Sequence, residues 1–166
     1  MNKQKNILAV GSIAIDTLET PMGNCGDMLG GSASYFSVAA SMLAPVTLVG
    51  VVGSDYPEMG WKIFKSRSIN VDNVQIVRGK TFRWGGKYND DYSSRDTLFT
   101  DLGVFESFSP NIKEEDCDSP LVFLGNIHPE LQLEVFETIC DPEHVVSDTM
   151  NLWIDLFPEK LADVIK

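Results

Sequence analysis

The 166-residue sequence is poor in basic residues and in histidine. Only 13 lysines and arginines accompany 24 acidic residues, so the net charge at pH 7 is −11. A surface of this sign repels phosphate backbones and anionic lipid, so neither nucleic acid nor a membrane is expected as a partner. The two histidines, His128 and His144, lack the regular spacing to cysteine or carboxylate that a zinc site needs.

Cysteines and long apolar runs are also scarce. The three cysteines are widely spaced and form no CxxC pair, a usage typical of a reducing compartment. No stretch has the length of a membrane span, about 18 consecutive apolar residues, and the N-terminal ILAVG is too short for a signal peptide. A cytoplasmic protein is therefore expected. The motifs GxSxG, HExxH and GxGxxG are absent, which argues against a serine hydrolase, a zinc protease and, less strongly, a dinucleotide-binding oxidoreductase.

What the sequence does contain is an alternation of short apolar runs and helical patterns. Apolar runs of this length are typical of buried strands in a parallel sheet. With the helices between them, they predict a mainly parallel α/β sheet. The expected strands are Ile7 to Gly11, Val46 to Val52, Val74 to Val77, Leu121 to Leu124 and Val145 to Ser147, and the expected helices run from a cap at Ser32 or Ser34 to about Leu43, from Pro57 onward, and from Glu130 to Ile139.

Four further segments have distinct patterns. Alternation from Ile13 to Leu18 suggests an extended segment that leaves the sheet, and the proline and glycines from Pro21 to Gly26 predict a loop. Aromatic residues among glycines and polar residues from Thr81 to Phe105 predict an antiparallel ribbon. The acidic run from Glu114 to Asp116 is expected to be a solvated face.

Polar residues follow the ends of several expected strands. Asp16, Asp55, Asn126, Asp148 and Asn151 each come shortly after an apolar run. In an open α/β sheet ligands bind beyond the carboxyl ends of the strands, so these side chains could converge on one crevice. Any one of them could instead cap a helix or close a turn. Together they favour a polyol or nucleoside site, because Asp and Asn bind several hydroxyls at once.

The glycine pair Gly30 and Gly31 precedes an expected helix. Glycines let the backbone approach a ligand closely, and a helix start offers unpaired amide donors. The alternative is that the pair only makes the turn.

The segments "AVGSIAID", "GGSASYFSVAASMLAPVTLVGVVGSD" and "DTMN", in this order, resemble the PfkB-type, or ribokinase-like, carbohydrate kinases. The resemblance runs across nearly the whole chain and implies a three-layer α/β/α sandwich with a small β-sheet lid, supplied by about residues 81–105. It also implies that a sugar or nucleoside lies between sheet and lid and receives the γ-phosphoryl group of ATP. Residues 1–166 are thereby expected to form a single, incomplete α/β domain, the N-terminal substrate-binding half.

The resemblance and the strand ends together define a set of candidate substrate-binding residues. Tyr35 departs from the family pattern, which commonly has asparagine four residues after the second glycine, although a tyrosine could still reach a hydroxyl or stack on a ring. Arg83, like Arg95, could bind a substrate phosphate, but pairing with the acidic surface is favoured. The candidates are Asp16, Gly30, Gly31, Ser32, Tyr35, Arg83, Asn126, Asp148 and Asn151.

Family members continue into a second half with two further motifs, which this sequence does not show. These are the Asn-x-x-Glu motif associated with magnesium and phosphate, and the Gly-Ala-Gly-Asp motif whose aspartate is the catalytic base. The letters of the first motif occur here only at Asn111–Glu114, ahead of the expected strand Leu121 to Leu124. No catalytic residue and no metal ligand are therefore assigned, ATP and Mg²⁺ are expected only of the complete family protein, and this chain alone is not expected to turn over.

Two alternatives stay open beside a kinase half: a non-catalytic sugar- or nucleoside-binding module, and a truncated remnant. In the remnant, an uncovered sheet edge and the apolar residues Trp153, Ile154, Leu156 and Phe157 favour self-association. A homodimer through the lid or this edge is the corresponding expectation.

Overall fold

The computed structural model describes residues 6–166. Strands and α-helices alternate along much of this range, and two short 3₁₀ turns, Gly103–Ser107 and Glu114–Asp116, follow the last lid strand. The strands are β1 (Ile7–Val10), β2 (Ala14–Thr20), β3 (Gly23–Gly30), β4 (Val46–Gly53), β5 (Asn70–Val77), β6 (Phe82–Tyr88), β7 (Arg95–Asp101), β8 (Leu121–Leu124) and β9 (His144–Ser147). The helices are α1 (Ser32–Ala40), α2 (Glu58–Ser66), α3 (Pro129–Phe136), α4 (Asn151–Leu156) and α5 (Pro158–Ile165).

The central sheet has five strands in the order β5-β4-β1-β8-β9, and all of its pairings are parallel. Its middle strands are apolar on both faces because helices cover both sides. Ala9 on β1 packs with residues of α1 and α2, while its neighbours Leu8 and Val10 pack on the opposite face with α3 and α5. The predicted three-layer α/β/α arrangement is confirmed.

The helices of the outer layers are short. The longest, α1 and α2, have nine residues each. Between residues 6 and 166, no helix combines the length and the apolar character that crossing a bilayer requires.

A second sheet of four strands, in the order β3-β2-β6-β7, forms the lid. The ribbon predicted from Thr81 to Phe105 is confirmed as the antiparallel pair β6 and β7. The loop predicted from Pro21 to Gly26 is wrong beyond its first residues, because the chain turns at Pro21 and Met22 and then forms β3. Among the described strands, β3 pairs only with β2 and forms an exposed edge, so it needs no apolar pattern to form.

Helix α1 begins differently from the prediction. Its N-cap is Gly31, and neither Ser32 nor Ser34 caps it through a side chain. The cap comes instead from Ser12, between β1 and β2, whose Oγ accepts from the Ser32 amide at 3.0 Å and whose carbonyl accepts from the Ala33 amide at 3.2 Å. The first turn of the helix is therefore stabilised by a residue distant in sequence.

Asp116 corrects the prediction of a solvated acidic face. Its carboxylate is buried, and it accepts from Asn73 Nδ2 at 2.6 Å and from Thr47 Oγ1 at 3.3 Å. Asn73 in turn accepts from the Lys113 amide at 2.8 Å. Asp116 thus fixes the segment before β8 to β4 and β5, while its neighbour Glu115 is exposed as predicted.

We expect Asp116→Ala to lower the free energy of unfolding by roughly 1–3 kcal/mol, because the buried Asn73 amide loses its acceptor. Urea unfolding followed by circular dichroism measures this, with the exposed Glu115→Ala as the matched control. Equal stabilities of the two variants would contradict the structural role of Asp116.

Candidate functional site

A cavity of about 830 Å³ lies where the carboxyl ends of β1 and β8 meet the lid sheet. Its volume is typical of small-molecule sites, which range over about 300–1,000 Å³. Three groups of residues line it: a polar group around the start of α1, an aromatic wall on the lid side, and a third group that follows β8. It occupies the position expected for ligands of an open α/β sheet.

The polar group contains Asp16, Ser12, Gly31 and Ser32. Asp16 lies on β2 and is half-buried, and among residues 6–166 no group donates a hydrogen bond to its carboxylate. Burial raises the pKa of Asp16 to about 6. The carboxylate is therefore an acceptor to which no described residue donates, and a ligand hydroxyl can supply that donor.

Gly30 and Gly31 must each be glycine, for two different structural reasons. A Cβ at Gly30 would collide with the carboxylate of Asp16, so glycine leaves the space that this carboxylate occupies. Gly31 has φ +94°, and a Cβ there would collide with the backbone of Ser12. Gly30 thus sets the position of Asp16, and Gly31 sets the start of α1.

The aromatic wall comes from β6, the end of the lid ribbon and the first 3₁₀ turn. Phe82, Phe105 and Phe108 form a continuous stack with centroid separations of 5.5 and 5.4 Å. Trp84 lies on the same face of β6 as Phe82, and the guanidinium of Arg95 lies 5.5 Å from its ring centroid. Flat rings of this kind stack on planar or ring-shaped ligands.

The group after β8 contains Asn126, His128 and Trp153. The indole Nε1 of Trp153 donates to Asn126 Oδ1 at 2.8 Å, which orients the amide and leaves its nitrogen to donate elsewhere. His128 Nδ1 accepts from the Glu130 amide at 3.2 Å and thereby caps α3, while its ring packs edge-on against Trp153 and Phe157. Asn126 is thus a fixed donor beside the cavity.

The charges around the cavity favour a ligand without strong negative charge. Asp16, Glu106, Glu130 and Glu134 line it, and Arg95 is the one lysine or arginine among its described lining residues. Lys160 pairs with Glu130 at 3.3 Å, but the other three carboxylates still repel a triphosphate, which these residues do not fit. Among the described residues there is also no group of three or more His, Cys, Asp or Glu side chains placed to hold a metal ion.

Five of the nine candidate residues meet at this site. Asp16, Gly31, Ser32 and Asn126 line the cavity, and Gly30 contacts Asp16. The remaining four do not line it, so their roles stay predictions without a place in this cavity. They are Tyr35, Arg83, Asp148 and Asn151.

The four outlying residues have local explanations. Arg83 alternates with Phe82 and Trp84 along β6, so it points away from the cavity and pairs with Asp27, as the preference for pairing predicted. Tyr35 is 59% exposed on α1. Asp148 uses its backbone carbonyl to accept from Gln132, and Asn151 is an exposed first residue of α4.

Asp55 also has a structural role. Its carboxylate accepts from both the amide and the hydroxyl of Thr81 at 2.8 Å, and Lys80 lies 3.5 Å away. It therefore fixes the point where the chain enters the lid.

Sequence reasoning did not identify Ser12, Trp84, Phe105, His128 or Trp153 as site residues. A signal for the aromatic wall was present, because Phe82 and Trp84 are two residues apart on a predicted strand and must share one face. No comparable signal existed for Trp153, which approaches Asn126 only through the tertiary fold.

Comparison with known proteins agrees with this architecture. No protein-family model matches the chain. Its sequence is 30% identical over 136 residues to a cytidine kinase from Thermococcus kodakarensis, a match that covers 81% of the chain and 48% of that kinase. The chain thus spans about half the length of the curated relative that it matches.

Solved structures give the same fold. The nucleoside kinase of Methanocaldococcus jannaschii, an archaeal member of the ribokinase family, matches with a TM-score of 0.74 and 20% identity, over 99% of this chain and 59% of that protein. An Arabidopsis thaliana ribokinase complexed with ribose and ATP matches with a TM-score of 0.63 and 16% identity, over 87% of this chain and 53% of that one. A fructokinase from Xylella fastidiosa with bound ATP gives a TM-score of 0.64 at 16% identity, over 95% of this chain and 55% of that one.

The sheet, the lid and these similarities define a ribokinase-like α/β fold. The predicted resemblance to the PfkB-type, or ribokinase-like, kinases is confirmed: the chain has their fold, and its sequence is similar to that of a cytidine kinase.

Stability should depend on pH through Asp16. Because its pKa is raised to about 6 in the fold against about 3.9 in an unfolded chain, the folded state binds this proton more tightly. The free energy of unfolding therefore falls as pH rises from about 4 to about 6.

We expect Asp16→Asn to be more stable than the parent at pH 7.5 by about 1–3 kcal/mol, and this difference to vanish below about pH 4. Urea unfolding across this pH range measures it, with Asp96→Asn on the exposed face of β7 as the control. A pH-independent difference would refute the burial of an ionisable Asp16.

Proposed function

We propose that this chain is the acceptor-binding part of a ribokinase-like kinase, and that the acceptor is a nucleoside. Residues 1–166 act in this proposal as one substrate-binding unit. ATP, with Mg²⁺, supplies the phosphoryl group in the whole protein, and this cavity holds the molecule that receives it. The Asp16 carboxylate, which accepts from no group among residues 6–166 and lines the same cavity as the aromatic wall, carries the proposal.

The polar group suits the sugar of a nucleoside. The Asp16 carboxylate accepts hydrogen bonds from sugar hydroxyls, and a hydrogen bond to a charged group contributes about 1.5–3 kcal/mol. Gly30 keeps the carboxylate in place, and Gly31 and Ser32 bring backbone close to the same region. The acidic lining agrees with a neutral acceptor entering without a phosphate of its own.

The aromatic wall suits the base. Trp84 and the Phe82, Phe105 and Phe108 stack offer flat faces, and a base stacked on an aromatic side chain gains about 1–3 kcal/mol. Asn126, oriented by Trp153, adds a donor that a base carbonyl or ring nitrogen can accept. The 30% sequence identity to a cytidine kinase supports a nucleoside over a free sugar.

Binding should depend on the Asp16 carboxylate. We expect calorimetric titration with cytidine and adenosine to give binding that Asp16→Asn weakens by about 10-fold or more, because an amide is a poorer acceptor than a carboxylate. Asp96→Asn, outside the cavity, is expected to bind as the parent does. If none of cytidine, adenosine, ribose and fructose binds the parent chain, the proposed acceptor site is wrong.

The aromatic wall should separate nucleosides from free sugars. Trp84→Ala is expected to weaken nucleoside binding by about 5- to 100-fold, the loss of one stacked base, while ribose binding changes less. Leu98→Ala, at a position 47% exposed on β7, is the matched lid control. An equal loss for ribose and nucleoside would favour a free sugar as the acceptor.

A further inference from the structure

We propose that Cys117 and Cys140 form a reversible disulfide when the protein meets a peroxide. The bond would join the segment before β8 to the segment between α3 and β9. It would lie at the amino ends of β8 and β9, whereas the cavity lies at the carboxyl ends of the central strands. The inference is independent of the proposed kinase function.

Backbone geometry brings the two residues together. The Cys140 amide donates to the Cys117 carbonyl at 2.9 Å. Each cysteine lies four residues before a member of the pair Leu121 and His144, with which the parallel ladder of β8 and β9 begins. Two residues joined directly by a backbone hydrogen bond lie within reach of a disulfide, which spans a Cα separation of about 4.4–6.8 Å.

The two thiols are free and differ in exposure. Cys140 is exposed and Cys117 is half-buried, with its thiol donating weakly to the Lys113 carbonyl at 3.4 Å. Burial raises the pKa of the Cys117 thiol, and the nearby Cys140 thiol adds to this effect. The electrostatic influence of one thiol on the other agrees with the backbone contact. Cys25 lies apart, exposed on the lid strand β3.

The exposure difference sets the order of the chemistry. The Cys140 sulfur attacks hydrogen peroxide, the O–O bond breaks, and the products are a sulfenic acid and water. Cys117 then attacks the Cys140 sulfur, the S–O bond breaks, and the hydroxide leaves with the thiol proton as a second water. Two thiols are oxidised and one peroxide is reduced, and an external dithiol reverses the change by exchange.

The test is peptide mapping of the intact chain after treatment with stoichiometric hydrogen peroxide and alkylation of the remaining thiols. Trypsin leaves both cysteines in one peptide, since no lysine or arginine lies between Lys113 and Lys160. Cleavage after glutamate, at Glu130, Glu134 and Glu137, separates them. We expect the two peptides to remain joined, with a mass about 2 Da below their sum, and to separate on treatment with dithiothreitol.

The variants distinguish this bond from other oxidation. Cys140→Ser and Cys117→Ser should each abolish the joined peptide, and Cys25→Ser should retain it. The oxidised parent should melt several degrees above the reduced parent, because the bond closes a loop in the unfolded chain. Sulfinic acid at Cys140 with Cys117 still reduced, or cysteines joined only between chains, would overturn the proposal, and these readouts on the parent chain hold even if a variant fails to fold.

Discussion

The junction between Ser12 and Gly31 is the constraint on which the rest of the structure depends. At this point the first central strand passes into the lid, and the lid returns to start α1. Gly31 has a backbone conformation that favours glycine, and its Cα lies so close to the Ser12 backbone that no side chain fits. Ser12 supplies both a hydroxyl and a carbonyl to the amides of α1. Sheet, lid and helix are thereby positioned relative to each other by two residues.

The central sheet could be predicted from the sequence because a strand buried on both faces is a nearly continuous run of apolar residues. The run from Val46 to Val52 is apolar except for Thr47, and the structure buries every residue of β4. The lid could be predicted only where aromatic residues mark it. Strand β3, with its glycines, Asn24 and Asp27, is paired on one side and solvated on the other, so its composition resembles that of a loop.

The site was predictable to the extent that it depends on strand ends. Asp16 and Asn126 follow strands and line the cavity, whereas Asp55 follows a strand and binds Thr81 instead. Strand ends therefore indicate where a polar residue lies along the sheet but not which way its side chain is directed. Asp116 was expected to be exposed and is buried. Its burial depends on Asn73 and Thr47, which are distant in sequence, so the local sequence could not predict it.

Asp16 belongs to the lid sheet and not to the central sheet, although it lies near the carboxyl ends of the central strands. Only residues 11–13 separate the central strand β1 from β2, and Trp84 on the neighbouring lid strand faces the same cavity. Any displacement of the lid therefore moves the Asp16 carboxylate and the Trp84 ring together. Entry and release of the proposed acceptor thus depend on one concerted motion, and we expect its residence time to follow the lifetime of the closed lid rather than the breaking of separate contacts one after another.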